Sequence, residues 1–193
     1  MKKLTITIIL LLTGCGGLPK AGPQAALYDF GITPNETPIA TPQLRLAGIE
    51  AAPSLDGNDM RYRLAYQNPA RVFAYTESRW VAPPDKLLAR RFAQRLQPTS
   101  SAPQCALHVT LEIFDQIFDT PDSSRGIVRF HASLTDGAGR HAASRTMLAS
   151  AERSAATADA RGGVAALTAA ADDAFAQIID WARGQACGTK EKS

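Results

Sequence analysis

Hydrophobic and polar positions follow two different periods along this chain. Apolar and polar residues alternate in segments such as Met60–Tyr66, Arg71–Val81 and Ala106–Phe118, which is typical of strands with one buried face. Two other segments, beginning at Pro83 and at about Ala160, repeat their apolar residues every three or four positions, which indicates amphipathic helices. The pattern therefore predicts that the chain contains both strands and helices.

Turn signals join four of the predicted strands into two hairpins. Asn68-Pro69 separates the strands over 60–66 and 71–81, and Asp136-Gly137-Ala138-Gly139 separates those over 126–135 and 141–152. Earlier strands are predicted over 26–32 and 43–51. Alternation along the strand at 106–118 predicts one shared face for five side chains: Leu107, Val109, Leu111, Ile113 and Ile117.

The order of elements indicates an α+β fold. The first helix opens at Pro83-Pro84-Asp85 and stops before Pro98, and the second runs to Gly184. Two helices with apolar stripes must cover a sheet face. We therefore expect a single layered domain, with a mostly antiparallel sheet and two main helices packed on one face.

The N-terminus has the pattern of a bacterial lipoprotein signal. Lys2 and Lys3 precede a short apolar run over 4–12, and Leu12-Thr13-Gly14-Cys15 matches the lipobox. A transmembrane helix needs about 20 apolar residues, and this run is too short. We expect cleavage before Cys15 and acylation of its thiol and new amine. Gly16 in the following position favours the outer membrane over inner-membrane retention.

These features divide the chain into four parts. We predict a signal peptide over 1–14, a Gly- and Pro-rich tether over 15–24, a domain over 25–187 and a disordered charged tail over 188–193. The formal net charge of +3 includes Lys2 and Lys3, and falls to +1 without them. No basic block remains, so we expect no nucleic-acid partner.

Cys105 and Cys187 remain beside the acylated Cys15. Disulfides persist outside the inner membrane, so one bond between these two residues is predicted. It would close a loop of roughly 80 residues and stabilise the fold by about 4 kcal/mol. The alternative is two unpaired thiols.

Residues for catalysis or metal binding are not grouped in the sequence. His108, His131 and His141 lack metal-ligand spacing, and Gly162-Gly163 is not followed by the Lys-Ser/Thr of a phosphate loop. Asp172-Asp173 is interpreted as a pair of solvated charges. We expect no enzymatic activity and no cofactor apart from the covalent lipid on Cys15.

The segment from Arg61 to Trp80 interleaves aromatic residues with arginines. One interpretation is a hairpin with aromatics in the core and arginines in solvent. The other is an interaction surface, since Tyr, Trp and Arg dominate protein interfaces. Its candidate partner-binding residues are Tyr62, Tyr66, Tyr75, Arg79 and Trp80.

These features together resemble the ABC-type transport auxiliary lipoproteins, the family of the paraquat-inducible (Pqi-type) outer-membrane lipoproteins. The resemblance spans nearly all of the chain after the signal. It follows the order of the lipobox, Leu27-Tyr28, Ile49-Glu50-Ala51-Ala52-Pro53, Met60-Arg61-Tyr62-Arg63, the Tyr66-to-Tyr75 spacing, Trp80 before Pro83-Pro84, the strand over 107–118 and the helix ending near Trp181.

The resemblance implies a role in transport without a reaction of its own. Such lipoproteins act with an ABC ATPase, a permease and a mammalian-cell-entry (MCE) domain protein in intermembrane lipid transport, and relatives can form homo-oligomeric rings. It implies that this chain docks the periplasmic assembly at the outer membrane. The alternative is a structural lipoprotein that assists assembly of an outer-membrane barrel or of lipopolysaccharide machinery.

Overall fold

A seven-stranded mixed sheet forms the centre of the protein. The computed structural model describes residues 24–32, 39–41, 44–97, 105–136 and 145–185. The predicted signal peptide, Cys15, His141, Cys187 and the predicted tail over 188–193 lie outside the described residues. The sheet strands are β1 (Ala26–Tyr28), β3 (Leu44–Ala51), β4 (Asp59–Leu64), β5 (Phe73–Trp80), β7 (Cys105–Thr120), β8 (Ser123–Asp136) and β9 (Arg145–Ser154).

Two further strands and two helices complete the described elements. β2 (Ile39–Ala40) and β6 (Leu96–Gln97) form a separate parallel pair. The helices are α1 (Pro84–Arg95) and α2 (Ala160–Arg183), close to their predicted bounds. A short 3-10 turn over Pro53–Leu55 joins β3 to β4. In the described part of the chain, neither helix is long and apolar enough to cross a membrane.

The longest strand, β7, organises the sheet. β8 pairs antiparallel with it along nearly its whole length, and β9 then pairs antiparallel with β8. On its other side, β3 lies parallel to its first half and β4 lies parallel to its second half. β5 follows antiparallel to β4, and β1 lies parallel to the end of β5. The antiparallel pairing of both predicted hairpins is confirmed, although residues 137–139 of the second predicted turn lie outside the described residues. The sheet was predicted to be mostly antiparallel and is instead mixed, because β3 and β4 run parallel to β7 and β1 runs parallel to β5.

Both helices lie on the same face of the sheet, as predicted. The ring of Phe92 in α1 stacks on that of Phe175 in α2 with 3.8 Å between centroids, and Phe92 also meets Phe130 of β8. These side chains are fully buried. The α+β fold with two helices on one face is thereby confirmed.

A β-bulge in β7 reverses the predicted alternation. Leu111 pairs with Phe130, but Ile113 already pairs with Arg129, so one extra residue lies between them. An extra residue moves every later side chain to the other face of the strand. Ile113 and Ile117 therefore face away from the helices, and the prediction that they share the face of Leu107, Val109 and Leu111 is wrong.

The second helix lies unusually close to the sheet. A Cβ atom on Gly126 of β8 would come within 2.6 Å of the backbone nitrogen of Leu167, and one on Gly163 within 2.0 Å of the Gln116 side chain. Real Cβ contacts are essentially never so short. At Gly126 the neighbouring atoms are backbone, so only glycine permits this approach, and at Gly163 the Gln116 amide would have to move. Gly163 therefore contributes to the packing of α2 against β7.

Candidate functional site

Tyr62 lies at the centre of a group of aromatic rings on the β4–β5 hairpin. It pairs directly with Phe73 across the two strands. Its ring centroid lies 5.2 Å from that of Phe73, 4.7 Å from that of Tyr75 and 5.7 Å from that of Phe118. These four residues are here named the aromatic cluster. Phe118 is buried, whereas the other three are half-buried and reach the surface.

A cation extends the aromatic cluster at its outer end. The guanidinium carbon of Arg71 lies 4.5 Å from the ring centroid of Phe73, within the range of a cation–π interaction. Arg71 itself is exposed. The surface therefore presents an arginine and three partly exposed rings in fixed mutual positions.

The inner end of the aromatic cluster is held by a buried amide. The hydroxyl of Tyr75 donates a hydrogen bond of 3.0 Å to Oε1 of Gln116. Nε2 of Gln116 donates to Oγ of Ser124 at 2.8 Å and to the carbonyl oxygen of Asp159 at 3.1 Å. Gln116 is 1% exposed, and this network uses both ends of its amide. The hairpin, the β7–β8 pair and the start of α2 are joined at one side chain.

Burial keeps the Tyr75 phenol protonated. Burial raises the pKa of Tyr75 far above its ordinary value, with smaller contributions from neighbouring Tyr62 and Asp159. A neutral phenol is the form that donates a hydrogen bond. Tyr75 thus holds its own ring against that of Tyr62 through the hydrogen bond to Gln116.

Asp159 connects this network to the first turn of α2. Its Oδ1 accepts hydrogen bonds from the backbone N–H of Gly162 and from the hydroxyl of Thr157. These bonds, in that order, lower the pKa of the Asp159 carboxyl. Asp159 is therefore the N-cap of α2, and its carbonyl fixes Gln116 at the same time.

An ion pair on the opposite face of the sheet holds the hairpin loop. Asp115, only 1% exposed, lies 2.7 Å from Nε of Arg63 and 3.0 Å from Nε of Arg61. Arg63 also donates to the carbonyl oxygen of Pro69 at 3.1 Å. The bulge in β7 places Asp115 on the same face as these arginines. Arg63 therefore links Asp115 to the loop after β4.

The loop and the adjoining strand edge are accessible. Tyr66 and Val72 are 43% and 41% exposed. Among the described residues, β1 pairs with β5 only from Ser78 to Trp80, and no strand pairs with the same edge from Phe73 to Glu77. An unpaired edge exposes backbone donors and acceptors to a partner strand.

The five predicted partner-binding residues separate in the structure. Tyr62 and Tyr75 meet in the aromatic cluster, and Tyr66 is exposed on the adjacent loop. Trp80 is 1% exposed and packs against Phe30 and Phe114 in the core. A partner cannot contact it there, so its interpretation as an interface residue is wrong.

Arg79 lies away from the aromatic cluster. It is exposed and pairs with Leu27 of β1, on the face opposite to Trp80. The sequence could have indicated Phe73, because it lies two positions before Tyr75 and alternation places both side chains on one face. Phe118 and Gln116 were not identifiable, because the bulge in β7 decides which face they occupy.

Other titratable residues have structural partners. Asp172 binds Arg91 of α1 through two bonds of 2.8 and 2.7 Å and Arg95 at 2.9 Å, and Asp173 binds Arg153. Their interpretation as simply solvated charges is therefore wrong. His108 is exposed, as predicted, and the described residues contain no group of His, Cys, Asp and Glu side chains suited to a metal ion.

Cys105 begins β7 and is buried. Its predicted partner, Cys187, and the predicted lipidation site, Cys15, lie outside the described residues. The disulfide and the lipid anchor both stay predictions.

Comparison with known proteins relates this chain to others through its fold. No protein-family model matches the sequence, and no curated protein matches it. The crystal structure of protein XCC0632 from Xanthomonas campestris, with the family model DUF330, is similar with a TM-score of 0.59 at 18% identity, covering 81% of this chain and 94% of that one. The chain shares the fold of a DUF330 protein.

A second solved structure has the same arrangement. It is described only as an uncharacterized protein, and is similar with a TM-score of 0.59 at 15% identity over 82% of this chain and 99% of that one. The structural similarity shows that this chain has the fold of the DUF330 protein. Because the sequence identity is low, its function has to be argued from its own residues.

Proposed function

We propose that this chain is a lipid-anchored, non-enzymatic auxiliary component of an ABC/MCE-type lipid transport system. It would be held at the outer membrane through Cys15 and would dock the periplasmic MCE protein, which joins it to the permease and ATPase. The observation that carries the proposal is the lipobox at Leu12-Thr13-Gly14-Cys15. The resemblance of the following sequence to the auxiliary lipoproteins supports the choice of partner.

The aromatic cluster is the surface that we assign to the MCE protein. Tyr and Arg are enriched among the residues that dominate binding energy. The rings of Tyr62, Phe73 and Tyr75 are already held in place by one another and by Gln116. Little side-chain entropy is then lost on binding, which favours affinity.

Affinity capture from native envelopes tests this assignment. The mature lipidated chain, beginning at Cys15, should recover an MCE protein with its permease and ATPase. Arg71→Glu should reduce that recovery at least tenfold, because it places a negative charge beside the aromatic cluster. Arg71 is exposed, so the change should leave the melting temperature within about 2 °C of the original.

Two further variants make the capture experiment specific. Tyr62→Ala should lower recovery at least as much as Arg71→Glu, and its thermal unfolding measures any loss of stability. Leu148→Ala is the matched control, because Leu148 is 57% exposed on β9 at the other sheet edge, and it should recover the complex normally. Recovery of no MCE protein would contradict the proposal, and recovery of a β-barrel protein instead would favour a role in barrel or lipopolysaccharide assembly.

A further inference from the structure

The strand nearest the tether carries exposed apolar side chains. Leu27 of β1 and Val81, directly after β5, are 62% and 50% exposed. Leu27 pairs with Arg79, and the backbone N–H of Val81 donates to the carbonyl oxygen of Tyr28 at 2.8 Å. We name Leu27, Arg79 and Val81 the β1 edge patch.

The β1 edge patch faces away from the helices. Tyr28 and Trp80 pair with each other and point into the core. Side chains alternate between faces along a strand, so their neighbours Leu27, Arg79 and Val81 share the outer face. The apolar residues on either side of Arg79 therefore form one exposed surface.

The length of the tether limits where this patch can be. Nine residue steps lead from Cys15 to Gln24, and an extended chain spans at most about 3.6 Å per step. Gln24 therefore lies within about 32 Å of Cys15, and Leu27 follows only three residues later. A lipid on Cys15 keeps the β1 side of the domain near the bilayer.

We propose that the β1 edge patch rests on the phospholipid bilayer that holds the Cys15 lipid. This inference rests on the proposed lipid anchor. Leu27 and Val81 enter the interfacial region, and Arg79 lies at the level of the phosphate groups. A second contact of this kind fixes the orientation of the domain, which a flexible tether alone leaves free.

The charges around the patch specify the kind of membrane contact. Asp59 pairs with Arg79 from the other side and is exposed, and exposed Asp29 lies one residue beyond Tyr28. The net charge beside the patch is not positive, so attraction to anionic lipids contributes little. The contact depends on apolar side chains and should persist on neutral phosphatidylcholine.

Fluorescence quenching by brominated lipid tests the contact. The mature lipidated protein, beginning at Cys15 and carrying Leu27→Trp, is reconstituted in phosphatidylcholine vesicles whose acyl chains are brominated near the headgroup. After subtraction of the signal from native Trp80 and Trp181, emission of the new tryptophan should fall at least twofold relative to unbrominated vesicles. Val81→Trp, at an exposed position, should give the same result if Leu27→Trp fails to fold.

The control position separates this inference from the proposed function. Leu148→Trp introduces the same probe at the opposite sheet edge, five strand spacings or about 24 Å from β1, and should not be quenched. Protein that floats with the vesicles but shows equal emission changes at positions 27, 81 and 148 overturns the membrane contact alone. Protein that does not float overturns the lipid anchor and this inference with it.

Discussion

Gln116 connects three parts of the fold through one side chain. It accepts a hydrogen bond from the Tyr75 hydroxyl and donates hydrogen bonds to Ser124 and to the backbone carbonyl of Asp159. A buried amide with unmet hydrogen bonds would cost several times what one bond contributes. The complete set of partners explains how a polar group stays in the core between the hairpin and α2.

Tyr75 should make the protein less stable at alkaline pH. Its pKa is raised in the folded state, so its contribution to stability is fully present below the unfolded value of about 10 and declines as pH rises through the folded value. Chemical unfolding at pH 8 and pH 11 should show a smaller decline in unfolding free energy for Tyr75→Phe than for the original chain. Equal declines would contradict the burial of this phenol.

Asp115 of β7 should be important for the stability of the β4–β5 hairpin, because it binds two arginines of β4. Asp115→Asn leaves Arg61 and Arg63 beside a neutral group, and we expect a loss of about 2 kcal/mol in unfolding free energy. This is below the loss for a fully buried pair, because the arginine side chains are 15% and 26% exposed. Urea unfolding measures the change, and amide hydrogen exchange should become faster in the loop over 65–72.

Asp119→Asn is the matched control for that experiment. Asp119 binds Arg125 at the surface, where its own side chain is 43% exposed, and surface pairs contribute about 0–1 kcal/mol. A loss as large for Asp119→Asn as for Asp115→Asn would show that the buried pair has no special role.

The sequence predicts some of these residues and not others. Tyr62 and Tyr75 were identified because aromatic residues interleaved with arginines are typical of interaction surfaces. Trp80 belongs to the same interleaved segment, yet burial against Phe30 and Phe114 makes it a core residue. Alternation gives the face of a side chain, but only the covering residues from distant segments decide whether that face is exposed.

At the scale of elements, the contact between α2 and the sheet depends on small residues. Replacement of Gly126 by alanine would place a Cβ atom 2.6 Å from the backbone of Leu167. Backbone on both sides cannot move easily, so we expect Gly126→Ala to lower the unfolding free energy by about 2–3 kcal/mol. Differential scanning calorimetry provides the measurement.

Gly48→Ala provides the comparison. Gly48 is also in a strand, but no atom lies within 4 Å of a Cβ added there. The melting temperature of the Gly48→Ala protein should therefore stay unchanged or rise slightly. Similar losses for both variants would mean that glycine is required for its backbone freedom rather than for close packing.

The N-cap of α2 offers a second test at this scale. Asp159→Ala should cost about 1 kcal/mol, whereas Asp159→Asn should retain most of the cap. The pKa of Asp159 is lowered, so the carboxyl contributes its stability above about pH 4 and loses it as pH falls through the folded value. The difference between Asp159→Ala and the original chain should therefore shrink on acidification, as measured by urea unfolding. A constant difference would contradict the charge-assisted cap.

Local signals explain why most elements were predicted. Proline at the start of α1, the strand alternation and the change of period near residue 160 are all encoded in short windows. The parallel placement of β3 and β4 along β7 joins segments that are distant in sequence, and no local pattern specifies it. The bulge near Glu112 lies in the pairing of β7 with β8, and no residue in the alternating segment marks it, which is why the faces of Ile113 and Ile117 were mispredicted.

On the scale of the whole molecule, β5 connects the two proposed contact surfaces. Its first residues carry the aromatic cluster, and its last residues adjoin the β1 edge patch. Seven residue steps along a strand span about 23 Å. A domain that rests on the bilayer at the β1 edge would hold the aromatic cluster away from the membrane, where a periplasmic partner can reach it.

The membrane anchor is the claim on which this arrangement depends most. Mass spectrometry of the natively produced protein tests it directly. The account predicts a chain that begins at Cys15 and carries both the thioether-linked lipid and an acylated amine. A full-length chain that retains residues 1–14 and an unmodified Cys15 thiol would contradict it.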